Sequence, residues 1–251
     1  MTTYDTNKKS WTTNDHKWRR DLTFYKKGKK CVICECKEEK YFEFDHIDPT
    51  SKKSGICGGQ VKGKKLEEEL TKCQILCIWC HRLKSKSEIK KKTIDDYRWD
   101  SNKLMNGPFK KCNGDICNDK EIPQNLFYKK KKNNHIYLQS KCKNCFLYKM
   151  SLDREKNRQY VIDSKHKIGK CVQCDRKVEN GYECCFDYDH IDPKQKFKSV
   201  SRMVDFPFEL LKNEIEKCQL LCCFCHYDKT MNQLSYKSIS YLINKHEDFV
   251  K

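Results

Sequence analysis

Apolar residues in this chain come in short bursts separated by long polar stretches, and each burst can be read for the element it predicts. Residues 41–46 alternate as YFEFDH, which predicts a short strand with Tyr41, Glu43 and Asp45 on one face and Phe42, Phe44 and His46 on the other. Pro49 ends it. Gly55, Gly58, Gly59 and Gly63 make residues 50–64 irregular. The run LEEELTKCQIL predicts a short helix or turn leading into Cys77-Ile-Trp-Cys80, and residues 81–92 predict a helix with a lysine-lined, solvated face. The TIDDYRW segment is expected to extend that helix or pack against it. Asn106, Gly107 and Pro108 break the pattern. Beyond them, Leu126 and Phe127, the run KKKKNN and then HIYLQ predict a hairpin between Cys112/Cys117 and Cys142/Cys145. From Cys145 to Lys165 neither Gly nor Pro intervenes, which predicts a bridging helix of about five turns. SYKSISYLINKHEDF predicts a C-terminal helix packing Ile239, Leu242 and Ile243. The first 21 residues, with Trp11 and Trp18, show no period and are expected to form an arm.

The pattern then repeats. KGKKCVIC returns as IGKCVQC, YFEFDHIDP as CFDYDHIDP, and KCQILCIWCH as KCQLLCCFCH. The offset drifts only from 140 (Cys171 against Cys31) through 144 (Asp189 against Asp45) to 145 (Cys222 against Cys77), so this is a duplication of domain size rather than a short-period solenoid. The expected organisation is an arm over 1–21, a first repeat over 22–105, a middle unit with its connecting helix over 106–165, and a second repeat with the C-terminal helix over 166–251.

Composition sharpens this picture. With 37% hydrophobic and 35% charged residues in 251, one large core is disfavoured and several small stapled units fit better. The 19 cysteines follow a polar N-terminal stretch without a leader-like run, so an intracellular setting, cytoplasmic or nuclear, is expected. Thiols stay reduced there, and clustered cysteines read as metal ligands rather than disulfides. No apolar run suggests a membrane span. The net charge of +18 and a pI near 9.1 point to a polyanionic partner, DNA first and RNA as the alternative, against the plainer reading that a lysine-rich composition reflects genome bias.

Two C-x2-C pairs per repeat, Cys31, Cys34, Cys77, Cys80 and Cys171, Cys174, Cys222, Cys225, supply four thiolates each. That set satisfies tetrahedral zinc and leaves no open position, so these sites should be structural. Cys112, Cys117, Cys142 and Cys145, with one x4 spacing, would take a third zinc in a zinc-ribbon-like unit, giving two to three zinc ions per chain. Cys57, Cys73, Cys185, Cys218 and Cys223 read as small buried or incidental residues, while Cys36 and Cys184 lie close enough to the knuckles to compete as ligands. Beside each knot stands an Asp-His pair, Asp45-His46 and Asp189-His190, and His81 and His226 directly follow the last knuckle cysteine. Neutral imidazole can take a proton from water and a carboxylate suits a hard cation, although any one of these histidines is equally well read as a spare ligand or a packed polar residue.

These motifs, C-x2-C, FDHIDP or YDHIDP, and LC-x2-CH, resemble the HNH endonuclease family, over residues 22–98 and 166–245. The resemblance implies an α+β chain of small zinc-stabilised domains, two ββα-metal units flanking the zinc-ribbon-like unit. It implies a metal-dependent DNA endonuclease in which His46 and His190 act as general bases. Asp45 with His81, and Asp189 with His226, would hold catalytic Mg2+ or Mn2+. Two such units in one monomer would form a pseudo-dimer able to address both strands. One departure stands out: the family's middle Asn, which braces the loop carrying the His, is Lys72 or Lys217 here. The middle unit resembles four-cysteine modules found beside HNH domains in phages and large DNA viruses, and its Lys129, Lys130, Lys131 and Lys132 are expected to contact phosphates. The competing expectation is a non-catalytic, zinc-stabilised nucleic-acid-binding or assembly protein, associated with a virion or with transcription, that keeps the fold alone.

Overall fold

The computed structural model describes residues 22, 25–56, 63–98 and 107–233. The expected N-terminal arm, Cys57 and the C-terminal helix over 235–249 lie outside these residues. The chain divides into two compact units, residues 1–88 with 221–251 and residues 89–220.

In the first unit, β1 (Phe42–His46) pairs antiparallel with β2 (Cys73–Cys77), Phe42 opposite Cys77 and His46 opposite Cys73. Helix α1 (Lys64–Leu70) precedes β2 and α2 (Ile78–Glu88) follows it without a loop. β1 stops where Asp48 accepts the backbone N–H of Thr50 at 2.9 Å and starts a 3-10 turn, Pro49–Ser51. Phe42, Ile75, Leu76, Cys31, Cys77 and Cys80 form the core, with Phe42 and Leu76 almost wholly buried. Each of those two side chains stabilises the unit by roughly 1.5–3 kcal/mol. Leu22, Ile56 and Leu66 make a second cluster under Phe44 and Leu70.

α2 begins three residues earlier than the pattern predicted and ends at Glu88 rather than at residue 92. The knuckle is itself the first helical turn, and the helix stops before the like-charged Lys90, Lys91 and Lys92. The helix over residues 223–233 belongs to the same unit. Its Phe224 stacks on Trp79 with ring centroids 5.9 Å apart and meets Tyr41 at 4.6 Å, while Asp228 accepts from the Tyr41 hydroxyl at 2.6 Å and from Lys40 at 3.0 Å.

In the second unit, β3 (Phe109–Lys111) pairs with β4 (Glu121–Pro123) and β5 (Phe127–Lys132) with β6 (His135–Cys142), both antiparallel. The predicted hairpin is thus β5–β6, turning at Asn133 and Asn134 with φ of 48° and 62°. α3 (Lys143–Ile168) has 26 residues, about seven turns against the five expected: it starts two residues earlier, inside the Cys142–Cys145 knuckle, and runs three residues past Lys165. It ends at Gly169, whose φ of 81° is the left-handed C-terminal cap. The TIDDYRW segment does not extend α2. Its 3-10 turn, Ile94–Tyr97, sets Tyr97 against Tyr148 of α3 at 5.5 Å. Buried Asn157 of α3 donates at 2.9 Å to the carbonyls of Val204 and Phe206, and so docks the helix on the loop between α4 (Val200–Met203) and α5 (Phe208–Ile215). Val200, Met203, Leu211 and Ile215 form the core there. β7 (Phe186–His190) shares a two-stranded sheet with β8 (Cys218–Cys222). The described residues form a mixed helix and small-sheet chain, compatible with small zinc-stabilised domains. No helix among the described residues is long and apolar enough to cross a membrane.

Candidate metal centres and an acid–histidine site

All three predicted cysteine sets assemble: Cys31, Cys34, Cys77, Cys80; Cys112, Cys117, Cys142, Cys145; and Cys171, Cys174, Cys222, Cys225, with the four Sγ atoms of each set within 4.8 Å of one another. Zinc–thiolate bonds of about 2.3 Å at tetrahedral angles place sulfurs about 3.8 Å apart. The sulfur separations are 3.6 Å for Cys34–Cys77, 3.7 Å for Cys112–Cys145 and 3.6 Å for Cys117–Cys142. These sets are therefore able to bind zinc. The charges argue the same way. Burial pushes the Cys31 thiol up, but backbone N–H groups of Cys34, Cys77 and Ile33 outweigh it and hold it at about 7, whereas burial lifts Cys77 to about 11. One thiolate is accommodated locally; four at this spacing call for a divalent cation.

The middle set admits only glycine at one position of its x4 loop. A Cβ at Gly114 would collide with Cβ and Sγ of Cys145, so the knuckle closes only over glycine. Cys36 and Cys184 stay outside the ligand sets. Cys73 and Cys218 are thiol donors, to the carbonyls of Glu69 and Glu214, each at 3.3 Å. Burial, with Glu214 and Asp189 nearby, pushes the Cys218 thiol up to about 12, so it remains a donor and not a ligand.

At the end of β1, Asp45 and His46 are both buried. Asp45 Oδ1 lies 3.5 Å from His81 Nε2, so the strand end and the first turns of α2 converge. Oδ2 of Asp45 accepts from Gln74 at 2.8 Å and from Lys84 at 2.5 Å, and Lys84 also donates to the His46 carbonyl at 3.1 Å. Burial raises the Asp45 carboxyl, but Lys84 and Gln74 outweigh it and leave the group below its ordinary range. His81 Nδ1 donates to Glu43 at 2.5 Å, which raises the imidazole above its ordinary value.

His46 Nε2 lies 2.9 Å from Oε1 of Glu69, a carboxylate 3% exposed. Glu69 also accepts the backbone N–H of Lys53 at 3.1 Å and the ammonium of Lys72 at 3.2 Å. Hydrogen bonding to His46 first, then to Lys53, holds the Glu69 carboxyl down to about 2. An ionised carboxylate only accepts, so Nε2 of His46 carries the proton of this hydrogen bond.

The second repeat builds the same brace. His190 Nε2 donates to Glu214 Oε1 at 2.7 Å, and Glu214 accepts from the N–H groups of Phe197 at 2.8 Å and Lys198 at 3.1 Å and from Lys217 at 2.8 Å. Burial raises the Glu214 carboxyl, but Lys217 and His190 outweigh it and bring it to about 2. Gln219 donates to Asp189 at 3.1 Å, as Gln74 does to Asp45. Asp189 and His190 lie in one unit and His226 in the other, and each is placed only within its own.

Glu43, Glu69, Glu214 and Lys84 were not singled out in the sequence. The signal was present: EEELTKC and NEIEKC each place a Glu four residues before the Cys, one turn of helix ahead of β2 or β8. Lys72 and Lys217 are anchored, because each pairs with the carboxylate that braces the histidine. Lys129, Lys130, Lys131 and Lys132 are all exposed on β5. No family model, curated protein or solved structure matches the chain.

Proposed function

We propose that the chain is a metal-dependent DNA endonuclease with an HNH-like unit in each repeat and a zinc-ribbon-like unit between them. The observation that carries this reading is the approach of His81 to Asp45 at the end of β1, with the neighbouring His46 braced by a buried carboxylate in a pairing that recurs in the second repeat. Glu69 holds His46 as the Nε2–H tautomer, and Nδ1 accepts the proton of the attacking water. Asp45 and His81 would hold Mg2+ or Mn2+, with Asp189 and His226 their counterparts in the second repeat. Such an ion, when bound, offsets negative charge on the phosphate and on the leaving oxygen. The donor set fits in part: a carboxylate oxygen and an imidazole nitrogen 3.5 Å apart can share one cation, with water and phosphate completing it. Glu43 receives the proton-bearing Nδ1 of His81 and so turns Nε2 toward Asp45.

The position of Lys84 favours a second reading. Its ammonium rests on Asp45 where a cation would sit, which suits a chain that keeps the fold and binds nucleic acid without cutting it. Supercoiled plasmid incubated with the purified chain and Mg2+ or Mn2+ separates the two. Nicked or linear product supports the nuclease, and no product from duplex, branched and single-stranded substrates supports the binding protein. His46→Ala and His190→Ala, tested singly, show whether one unit or both cut.

A further inference from the structure

The β5–β6 hairpin carries Lys129, Lys130, Lys131, Lys132 and Lys141 and no Asp or Glu between Phe127 and Cys142. Among the described residues no carboxylate pairs with the four consecutive lysines, whereas elsewhere Lys30, Lys84 and Lys149 each have one. Their exposure is matched across the ribbon: Ile136, opposite Lys131, is 69% exposed, and Tyr137, opposite Lys130, is 45% exposed. Two large apolar side chains held in water at the end of a charged hairpin are a contact surface rather than a core. The bulge lies at the base, between Phe127 and Lys129, and the pairing from there to the turn is regular.

Side chains alternate along a strand, so Lys129 and Lys131 face one side of the ribbon with Ile136, while Lys130 and Lys132 face the other with Tyr137. A single strand offers one backbone to one face. A groove flanked by two backbones offers phosphates to both. The major groove of B-form DNA, about 12 Å wide, admits a two-stranded β-ribbon, whereas the deep, narrow major groove of A-form RNA does not. We infer that β5–β6 is a duplex-DNA arm that enters the major groove, with lysines on both faces reaching the two backbones and with Ile136 and Tyr137 against base edges. This inference rests on the DNA part of the proposed function and not on cleavage.

The test is binding by the full-length chain with His46→Ala and His190→Ala, zinc retained and no other divalent ion added. A B-form DNA duplex, an RNA duplex of the same sequence and the single strand are compared over a range of salt. Replacing Lys129, Lys130, Lys131 and Lys132 by Ala should make the slope of log affinity against log salt shallower by about 3–4 on duplex DNA, at about 0.9 per phosphate contact. Ile136→Ser with Tyr137→Ser should weaken binding about fivefold or more and leave the slope unchanged, because these residues touch no phosphate. An unchanged slope in the lysine variant, an unchanged affinity in the apolar variant, or equal effects on RNA duplex or single strand overturns the inference. Zinc content equal to that of the parent shows that each variant is folded. With both histidines restored and Mg2+ or Mn2+ added, a chain that binds DNA through the hairpin yet cuts nothing overturns the nuclease and leaves the arm; one that cuts with the hairpin changes silent does the reverse.

Discussion

Replacing Glu214 by Ala tests the brace most sharply. Its Oε1 is the shared acceptor for His190 Nε2 and for the N–H groups of Phe197 and Lys198, and Oε2 meets Lys217. The side chain is 2% exposed and His190 5%, so the stranded His190 donor is cut off from water, whereas Phe197, 61% exposed, and half-buried Lys198 are open to it. A buried donor left without an acceptor costs about 1–3 kcal/mol, and the two part-buried backbone donors add less. Lys217, at 35% exposure, turns to solvent and adds little. Allowing for water entering the vacated space, the expected loss is about 2–3 kcal/mol, a sizeable share of the stability of a small domain. Glu214→Gln keeps the shared acceptor and gives up its charge, so it should cost about 1–2 kcal/mol. Urea unfolding with zinc held constant reads both, and nitrogen NMR of His190 reads the tautomer: Nε2–H in the parent, mixed in the Gln variant. A Glu214→Ala chain with the parent's urea midpoint would falsify the brace, and so would an Nδ1–H tautomer in the parent.

Three further outcomes follow from the same geometry. Cys112→Ser should lower the zinc content by one ion per chain and unfold the middle unit, since structural zinc supplies on the order of 10–16 kcal/mol; retention of the parent's zinc content contradicts that cluster. Lys84→Met should tighten Mn2+ binding several-fold in calorimetry, because the ammonium competes for Asp45, and weaker binding means the lysine supports the site instead. The Glu69 and Glu214 carboxyls, held at about 2 in the fold against 4.5 ordinarily, contribute stability that is fully present above the ordinary value and lost as pH falls through 2. The stability gap between the parent and a Glu69→Gln, Glu214→Gln double variant should therefore narrow below about pH 4.5, and a gap that widens there contradicts ionised, buried carboxylates.

The cysteine sets were legible because ligand spacing is local: C-x2-C is one turn of chain, and its recurrence at nearly constant offset pairs the knuckles. The strand over β1 was legible from alternation, and the β5–β6 hairpin from two apolar runs around KKKKNN. Helix ends were less so. α2 and α3 both begin inside a knuckle, where metal geometry rather than capping chemistry starts the helix, and the TIDDYRW segment found its partner on α3 through Tyr97 and Tyr148, a contact that periodicity does not encode. The carboxylate brace was less legible than Lys72 and Lys217, which stand directly before the first Cys of β2 and β8. Glu69 and Glu214 lie three residues earlier, just under one helical turn, and only the fold shows that this turn carries them back to the histidine.

The central claim is that the cysteines hold the units together while the histidines do chemistry. One preparation tests it: the chain with His46→Ala and His190→Ala, assayed for zinc content and for plasmid cleavage with Mg2+ or Mn2+. The prediction is full zinc occupancy of the three clusters and no nicking beyond background, beside a parent chain that nicks. Cleavage by this variant at the parent's rate, with zinc retained, would contradict the account.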